Sequence, residues 1–570
     1  MAADSEDYTS LSPTLIEWIK EEIKPLYDEY LSYIKESGKD PEEEPYRSLY
    51  SARKTLLLIK DKIGQAPPEI NDSLHPLSIT LSSLLAANYI NTDETSAGQR
   101  EYESILELSK SLEFQGRVTF AMVTACNGLG IVWSNRSEEY EKSLELLKQG
   151  ETLYKSYHHP PPLSDEDLFS GDIRDEGERE KTFEDLHTHT LFYLAQVYTH
   201  LDQPGLSAQY CQNTLSRQLE TKSYDPIEWS LNAATISQYY INVANYPQAR
   251  HCLAAASVVL RSYSDELGGK GEEMKEKLEQ SEADVSRCWI KYAISLLTHS
   301  CTESGERGGG GGTREKVAIV HRFEPLELAD VEGQVSCDVV ENYQDASKVF
   351  LFAEAQIKSA QKFYNLEDHA TDFVSISQDH SSLYKVLSFF ESDLSLKCRM
   401  HKRRVDILSS LLSCLNPQYY LVLNRQLMFE LGDTLNDMAN NKIILASEEG
   451  SSPSQHQIQK INRLLNDAIK HYGEFFSSFE TQPEAEYLHS FLTSKLNVAR
   501  LHSKLLAGNP GEQIKNLETS IQSYKWLIEY CESHTEEIKE VFTEELGLCK
   551  EMVALLPQKV ELIRSQNITM

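Results

Sequence analysis

Apolar residues recur along most of this chain at the three-to-four-residue spacing of amphipathic helices, and no stretch shows the sustained alternation and hairpin turns of strands. The pattern is sharpest at 233–256. There Ala233, Ile236, Ser237, Tyr240, Tyr246, Ala249, Leu253 and Ala256 fall at offsets 0, 3, 4, 7, 13, 16, 20 and 23, the spacing of a tetratricopeptide helix–turn–helix. Small residues at Ser237, Ala249 and Ala256 let two helices approach, and Tyr240 and Leu253 fill the space between them. One such hairpin cannot bury its own apolar face, so it requires stacked neighbours. Three candidates precede it. Leu85, Ala86, Tyr89, Gly98, Tyr102 and Ile105 form the first, and Leu129, Gly130, Trp133, Ser143, Leu147 and Gly150 the second, with one extra residue in its turn. Leu194, Ala195 and Tyr198, with Ala208 and Leu215, form the third. Aligned on the small residue of each first helix, the units start at 86, 130, 195 and 237, at intervals of 44, 65 and 42 rather than a uniform repeat of about 34. The helices are therefore longer than usual or separated by loops, and the proline-led acidic stretch 158–180 reads as one such loop.

On either side the pattern is helical but less regular. Residues 14–36 form an amphipathic segment that Pro25 should kink or break, so 1–40 reads as an N-terminal extension carrying an amphipathic helix. KDPEEEP at 39–45 separates it from a helix near 46–63, and 67–76 reads as a loop. Beyond the fourth hairpin, 263–283 is charged and punctuated by glycine, and 287–297 reads as one more helix. Five consecutive glycines, Gly308–Gly312, then mark 301–340 as a flexible linker. Helical pattern resumes at 341 and continues to 565, with breaks near 416–418, 448–454, 481–484 and 508–511. The expected fold is all-α, a tetratricopeptide-like helical-hairpin solenoid in two halves, 41–300 and 341–565.

Composition narrows the function. An apolar fraction of 40% over 570 residues supports a sizeable core. The net charge of −33 repels phosphate backbones and anionic lipid, which argues against nucleic acid and membrane surfaces and in favour of a partner with a basic face. The ten cysteines are scattered, without a CxxC pair, and read as small hydrophobes in a reducing compartment. The acidic start MAADSEDYTS lacks the features of a signal peptide, and no apolar run approaches the about 18 residues of a membrane span. The expectation is a cytoplasmic protein without membrane insertion.

No arrangement suited to catalysis emerges, so no enzyme, cofactor or metal is expected. The glycine run lacks the GK[ST] of a phosphate loop, and His187 and His189 read as a polar helix start. Asp368–His369 and Asp379–His380 are 11 residues apart. On one continuous helix that puts them on a shared face but roughly 16 Å apart, too far for one metal ion. Asp379 is more simply a helix N-cap. The basic run KCRMHKRR (397–404) lines up Lys397, His401 and Arg404 on one helical face. It reads as a solvated helix partly neutralising nearby carboxylates, or as a strut between hairpins or a contact for an acidic partner. The 29 tyrosines suit helix–helix packing. In hairpin arrays the first helix of each unit lines a concave groove. The groove-facing candidates are Asn127, Ser134 and Asn135 in the second unit, Gln196, Thr199 and His200 in the third, and Gln238 and Asn242 in the fourth. Where a groove that clamps chaperone tails would carry lysine, this chain has Phe192 and Ala234, which disfavours that partner class.

Longer strings carry more information than any of these motifs. They include EPYRSLYSAR (44–53), NYINTDETSAG (88–98), FYLAQVYTHL (192–201) and YDPIEWSLNAATISQYYIN (224–242). Others are QDHSSLYKVLSFFESDL (378–394), CRMHKRR (398–404), LNPQYYLVLNRQ (415–426) and KEMVALLPQKVE (550–561). Over about 44–560 the chain resembles the kinesin-binding protein family; the first 40 residues and the glycine run match it poorly. The resemblance implies a non-enzymatic helical solenoid whose partners are kinesin motor domains, with other cytoskeletal proteins beyond them. Such proteins hold motors off microtubules and so influence microtubule organisation, transport and axon outgrowth, which implies cytoskeletal association. The alternative is a general repeat scaffold or co-chaperone with another client.

Overall fold

The computed structural model describes residues 11–41, 43–111, 115–136, 139–157, 161–162, 164–171, 174–267, 271–306, 321–448, 453–479, 483–534 and 541–568. Pro25 shapes the first of these. A regular helix through it would lose a hydrogen bond and set its ring against the carbonyl four residues back. The chain instead inserts a π turn, Ile19–Ile23, between α1 (Pro13–Trp18) and α2 (Lys24–Ser37), closed by the Lys24 N–H on the Ile19 carbonyl. The segment kinks without breaking, and Leu15, Ile19, Ile23 and Tyr27 all face inward. They join Ala52, Leu56 and Ile59 of α3 (Arg47–Gly64) in one core. The described part of the expected extension is thus integral to the first core. The expected loop at 67–76 is a 3-10 turn, Pro68–Leu74, that buries Ile70 and Leu74 and leads directly into the next helix.

The four hairpins read from the sequence follow. They are α4 (His75–Asn91) with α5 (Thr95–Leu108), α6 (Gln115–Ser134) with α7 (Tyr140–Tyr157), and, after the short α8 (Glu166–Ser170), α9 (Glu176–His200) with α10 (Pro204–Thr221). The fourth is α11 (Pro226–Asn242) with α12 (Tyr246–Leu267). Three of them share one turn. Asp93, Asp202 and Ala244 have φ of 61°, 54° and 56°, each seven residues after the aligned small residue. The next N–H, of Glu94, Gln203 and Asn245, reaches back to the carbonyl of Tyr89, Tyr198 and Tyr240 at 2.9, 2.9 and 2.8 Å, which satisfies a carbonyl that the helix end leaves open. The second hairpin, with its extra residue, closes differently, by the Arg136 N–H on Trp133 at 3.1 Å. Its close approach depends on Gly130, where an added Cβ would lie 2.6 Å from Leu147.

The 65-residue interval has a specific cause. The stretch 158–180 was expected to be loop, but its part 164–171 is packed, with Leu168 and Phe169 buried, and α9 already begins at Glu176, capped by the Asp175 side chain. The Arg117 guanidinium in α6 grips the Asp165 carboxylate with two 2.9 Å bonds, both residues buried. Tyr27 donates to Glu166 at 2.6 Å, and Lys24 donates to the Ser170 carbonyl.

Downstream, α13 (Glu272–Glu306) extends well beyond the expected 287–297. After the short α14 (Ala329–Glu332) come α15 (Tyr343–Phe363), α16 (Ala370–Phe390), α17 (Leu394–Cys414), α18 (Leu421–Glu448), α19 (Gln455–Ser477), α20 (Ala485–Lys504), α21 (Pro510–Ser533) and α22 (Thr543–Ile568). From α15 each long helix packs on its successor. The linker expectation for 301–340 fails in its described parts. Residues up to Glu306 continue α13, and Phe323, Val331, Val335 and Val340 are buried. The Val340 N–H bonds the Ser300 hydroxyl at 3.0 Å, and Gln212 donates to the His321 carbonyl at 3.0 Å. Gly308–Gly312 lie outside the described residues. The fold divides into two compact units, Met1–Tyr239 with Ile319–Glu327 and Tyr240–Ala318 with Leu328–Met570. Their boundary falls inside α11, not at the glycine run. Among the described residues every regular element is helical, giving an all-α, solenoid-like stack of hairpins.

Candidate partner-binding surfaces

Helix α9 positions the clearest surface. Leu191, Leu194, Val197 and Tyr198 turn inward, which leaves Gln196, Thr199 and His200 exposed. Gln196 and Thr199 line an open groove of about 300 Å³ with Phe192, Ser207 of α10, and Thr235 and Tyr239 of α11. Phe192 is 40% exposed, and the Thr199 and Ser207 hydroxyls bond each other at 2.8 Å. Every lining residue is uncharged. An aromatic face beside amide and hydroxyl groups offers contact area at low ordering cost, with hydrogen bonds to fix register. At the groove's edge burial pushes the Cys211 thiol up to about 11, so it stays protonated and unreactive.

The other expected groove residues do not join this patch. Asn127 is 5% exposed and sits between α6 and α9, donating to the Leu186 carbonyl at 3.1 Å and accepting from Thr190 at 2.9 Å. It is an interior hydrogen-bonding residue, not a groove residue, because α9 packs directly over this turn of α6. Ser134 is half-buried and returns its hydroxyl to the Ile131 carbonyl, while Asn135 is exposed at the end of α6. His200 stacks on Tyr140, the rings 4.6 Å apart and 7° from parallel. Gln238 is half-buried and bonds Ser237 at 3.1 Å. Asn242 lines a separate depression with Tyr246, Lys291, Thr298 and Asp379. Ala234 is buried, so the clamp comparison holds only at Phe192. The first helices α4, α6 and α9 do share a cleft, through Thr80, Phe120, Thr124 and Asp185, but the 164–174 segment contributes Glu166 and Arg174 to it. Sequence reading missed Thr235 and Tyr239; Thr235 lies three residues before Gln238 and Tyr239 four residues after Thr235, so extending that face along the amphipathic helix finds both.

The motifs considered for chemistry have structural roles. Helix α16 begins at Ala370, so Asp379 lies mid-helix and is not an N-cap; His369 occupies that position. Among the described residues no group of three or more potential ligands converges as a metal site. His187 lies in the middle of α9, buried against Tyr154 at 3.7 Å. In the basic run, Arg399, Lys402 and Arg403 are exposed, but Arg404 is 1% exposed. It reaches Ser381 of α16 at 3.3 Å, and Glu430 and Asp437 of α18 at 3.6 and 3.9 Å. Its guanidinium also contacts His401 Nδ1 at 3.3 Å, and burial, reinforced by Arg404, depresses His401 to about 4. Arg404 is thus a strut joining α17 to α16 and α18.

A family model described as KIF-1 binding protein C terminal matches residues 227–563. The KIF-binding protein of Gallus gallus is 37% identical over 93% of this chain and 95% of its own length. The KIF-binding protein of Homo sapiens is 35% identical over 93% and 96%. A solved structure described as kinesin binding protein superposes with a TM-score of 0.65 at 34% identity, covering 94% of this chain and 98% of that one.

Proposed function

The chain belongs to the KIF-binding protein family, and on that premise we propose that it is a non-enzymatic protein that binds kinesin motor domains and keeps them from microtubules. Through that sequestration it regulates microtubule-based transport, microtubule organisation and axon outgrowth, acting in the cytoplasm in association with the cytoskeleton. Other cytoskeletal proteins are secondary partners. The observation that carries the reading is near-full-length similarity at 37% identity to a protein named for binding KIF proteins. Physical chemistry supports it. A motor surface that docks on acidic tubulin is basic, and a chain of net charge −33 attracts such a surface at long range. The uncharged α9–α10–α11 groove is the favoured short-range contact, with Phe192, Gln196 and Thr199 in its lining.

The test is microtubule co-pelleting of a purified kinesin motor domain of the KIF class with increasing amounts of this chain. The motor is expected to move to the supernatant as a one-to-one complex. Undiminished pelleting at saturating chain would overturn the sequestration reading. A complex that forms but still pellets would retain binding and remove the block.

A further inference from the structure

The cleft between α4, α6 and α9 has a volume of about 290 Å³ and shares no residue with the α9–α10–α11 groove. Thr80 and Ser83 of α4 line it and are only 7% and 8% exposed. A helical hydroxyl commonly returns to the carbonyl one turn back, as Thr124 does in this same cleft, donating to the Phe120 carbonyl at 2.8 Å. Thr80 and Ser83 do not. Neither side chain hydrogen-bonds another group among the described residues, and neither hydroxyl is sealed from the cleft. Polar groups buried this far are ordinarily satisfied within the protein or by what occupies the space beside them. Charge then separates the possible occupants. The ionised residues of the lining are Glu166, Arg174 and Asp185. Glu166 accepts from the Tyr27 hydroxyl at 2.6 Å, and Arg174 is held by the Asp167 carboxylate at 2.5 Å and reaches Thr182 at 3.4 Å. Asp185 of α9 is half-buried, and its carboxylate makes no ion pair or hydrogen bond among the described residues. Phe120 of α6 adds a half-buried aromatic ring to the lining, packed on Phe183 with ring centres 4.9 Å apart.

We propose that this cleft receives an arginine side chain of a partner protein. Its unused groups are a carboxylate, which only accepts hydrogen bonds, and two hydroxyls, which can accept them. The guanidinium donates to Asp185 and to the Thr80 and Ser83 hydroxyls, and its flat face lies against Phe120. Arginine alone among side chains joins a permanent charge, several donors in a fixed fork and a face that stacks on a ring. A phosphate or carboxylate is the wrong ligand, because Asp185 and Glu166 repel it and Arg174 is already engaged by Asp167. The proposal stands apart from the kinesin reading, since the identity of the partner does not enter it.

The probe is the capped peptide acetyl-Gly-Arg-Gly-amide, titrated into the full chain at constant pH and about 150 mM salt, where diffuse attraction to the acidic surface is screened. The readout is the Cε1–H resonance of His189, an exposed residue of the cleft lining, with His189→Gln to assign it. The resonance should shift and saturate below about 10 mM, the affinity of one anchored side chain without a surrounding interface. The peptide with citrulline in place of arginine has nearly the same shape and no charge. It should bind about tenfold or more weakly, because it forms no charge-assisted bond to the Asp185 carboxylate. Asp185→Asn should weaken the arginine peptide by a similar factor and leave the citrulline peptide unchanged. The peptide comparison uses the unaltered chain and so does not depend on any variant folding. No shift of His189 at about 10 mM, or equal responses to the arginine and citrulline peptides, would overturn the proposal. Either result leaves the kinesin reading standing, because co-pelleting does not report on this cleft.

Discussion

Asp93, Asp202 and Ala244 hold the same turn position with positive φ, but their side chains suit it unequally. The left-handed region costs an ordinary residue roughly 1–2 kcal/mol, and aspartate, with a short side chain that bonds locally, tolerates it better than alanine. Ala244→Gly should therefore raise unfolding stability by about 1 kcal/mol, and Asp202→Gly by less. Urea denaturation of the two variants reports the ranking; equal gains would contradict it. His401 gives a pH dependence whose sign follows from its setting. Its Nδ1 faces the Arg404 guanidinium and its folded value is depressed from 6.5 to about 4. The neutral ring is favoured in the fold, so this contribution is complete above pH 6.5 and is lost as pH falls from 6.5 toward 4. Its upper size is about 3 kcal/mol. Asp433 and Asp437 nearby are raised by burial and act in the opposite sense, so the informative quantity is the difference between the unaltered chain and His401→Gln. That difference should vary between pH 6.5 and 4 and be flat above 6.5; a flat difference throughout would exclude the role assigned to His401.

At the scale of elements, the hairpins were legible because their information is local. Small residues seven positions before each shared turn and tyrosines beside it repeat along the chain, and the structure returns the eight helices of the four units and, in three of them, the shared turn. What was not legible depends on partners distant in sequence. The 164–171 segment reads as an acidic loop until Arg117, 48 residues earlier, meets Asp165. Likewise 321–340 reads as linker until Trp229 meets Phe323 with ring centres 5.2 Å apart. Asn127 failed as a groove residue for the same reason: its exposure depends on where α9 lies, not on its own helix. The Arg117–Asp165 pair supports a sharp prediction. Burial pushes Asp165 up to about 6, which leaves it ionised at pH 7 against the guanidinium. Asp165→Asn strands a buried cation and should cost about 3–5 kcal/mol, whereas Asp165→Leu with Arg117→Met should cost much less, because a matched apolar pair replaces matched charges. Equal losses in the single and double variants, by denaturant unfolding, would mean that the ion pair is not what fastens the segment.

For the whole molecule, two properties act over different distances. On the proposed reading, the charge of −33 attracts the motor before contact, and the uncharged α9–α10–α11 groove is the surface proposed to hold it afterwards. The two are separable by kinetics. Long-range attraction raises the association rate and is screened by salt, with a Debye length of about 10 Å at 0.1 M. Contacts in an uncharged groove govern dissociation and respond little to salt. Raising salt from about 50 to 300 mM should therefore slow association with a kinesin motor domain by about tenfold while changing dissociation much less. Phe192→Ala should do the reverse. It removes a 40% exposed ring from the lining of the groove, so dissociation should speed up about tenfold or more, with association and thermal stability nearly unchanged. Stopped-flow association and dissociation measured on the same motor separate the two effects. If Phe192→Ala altered only association, or if salt altered only dissociation, the division between attracting charge and gripping groove would be wrong and the motor contact would lie on a charged surface elsewhere in the chain.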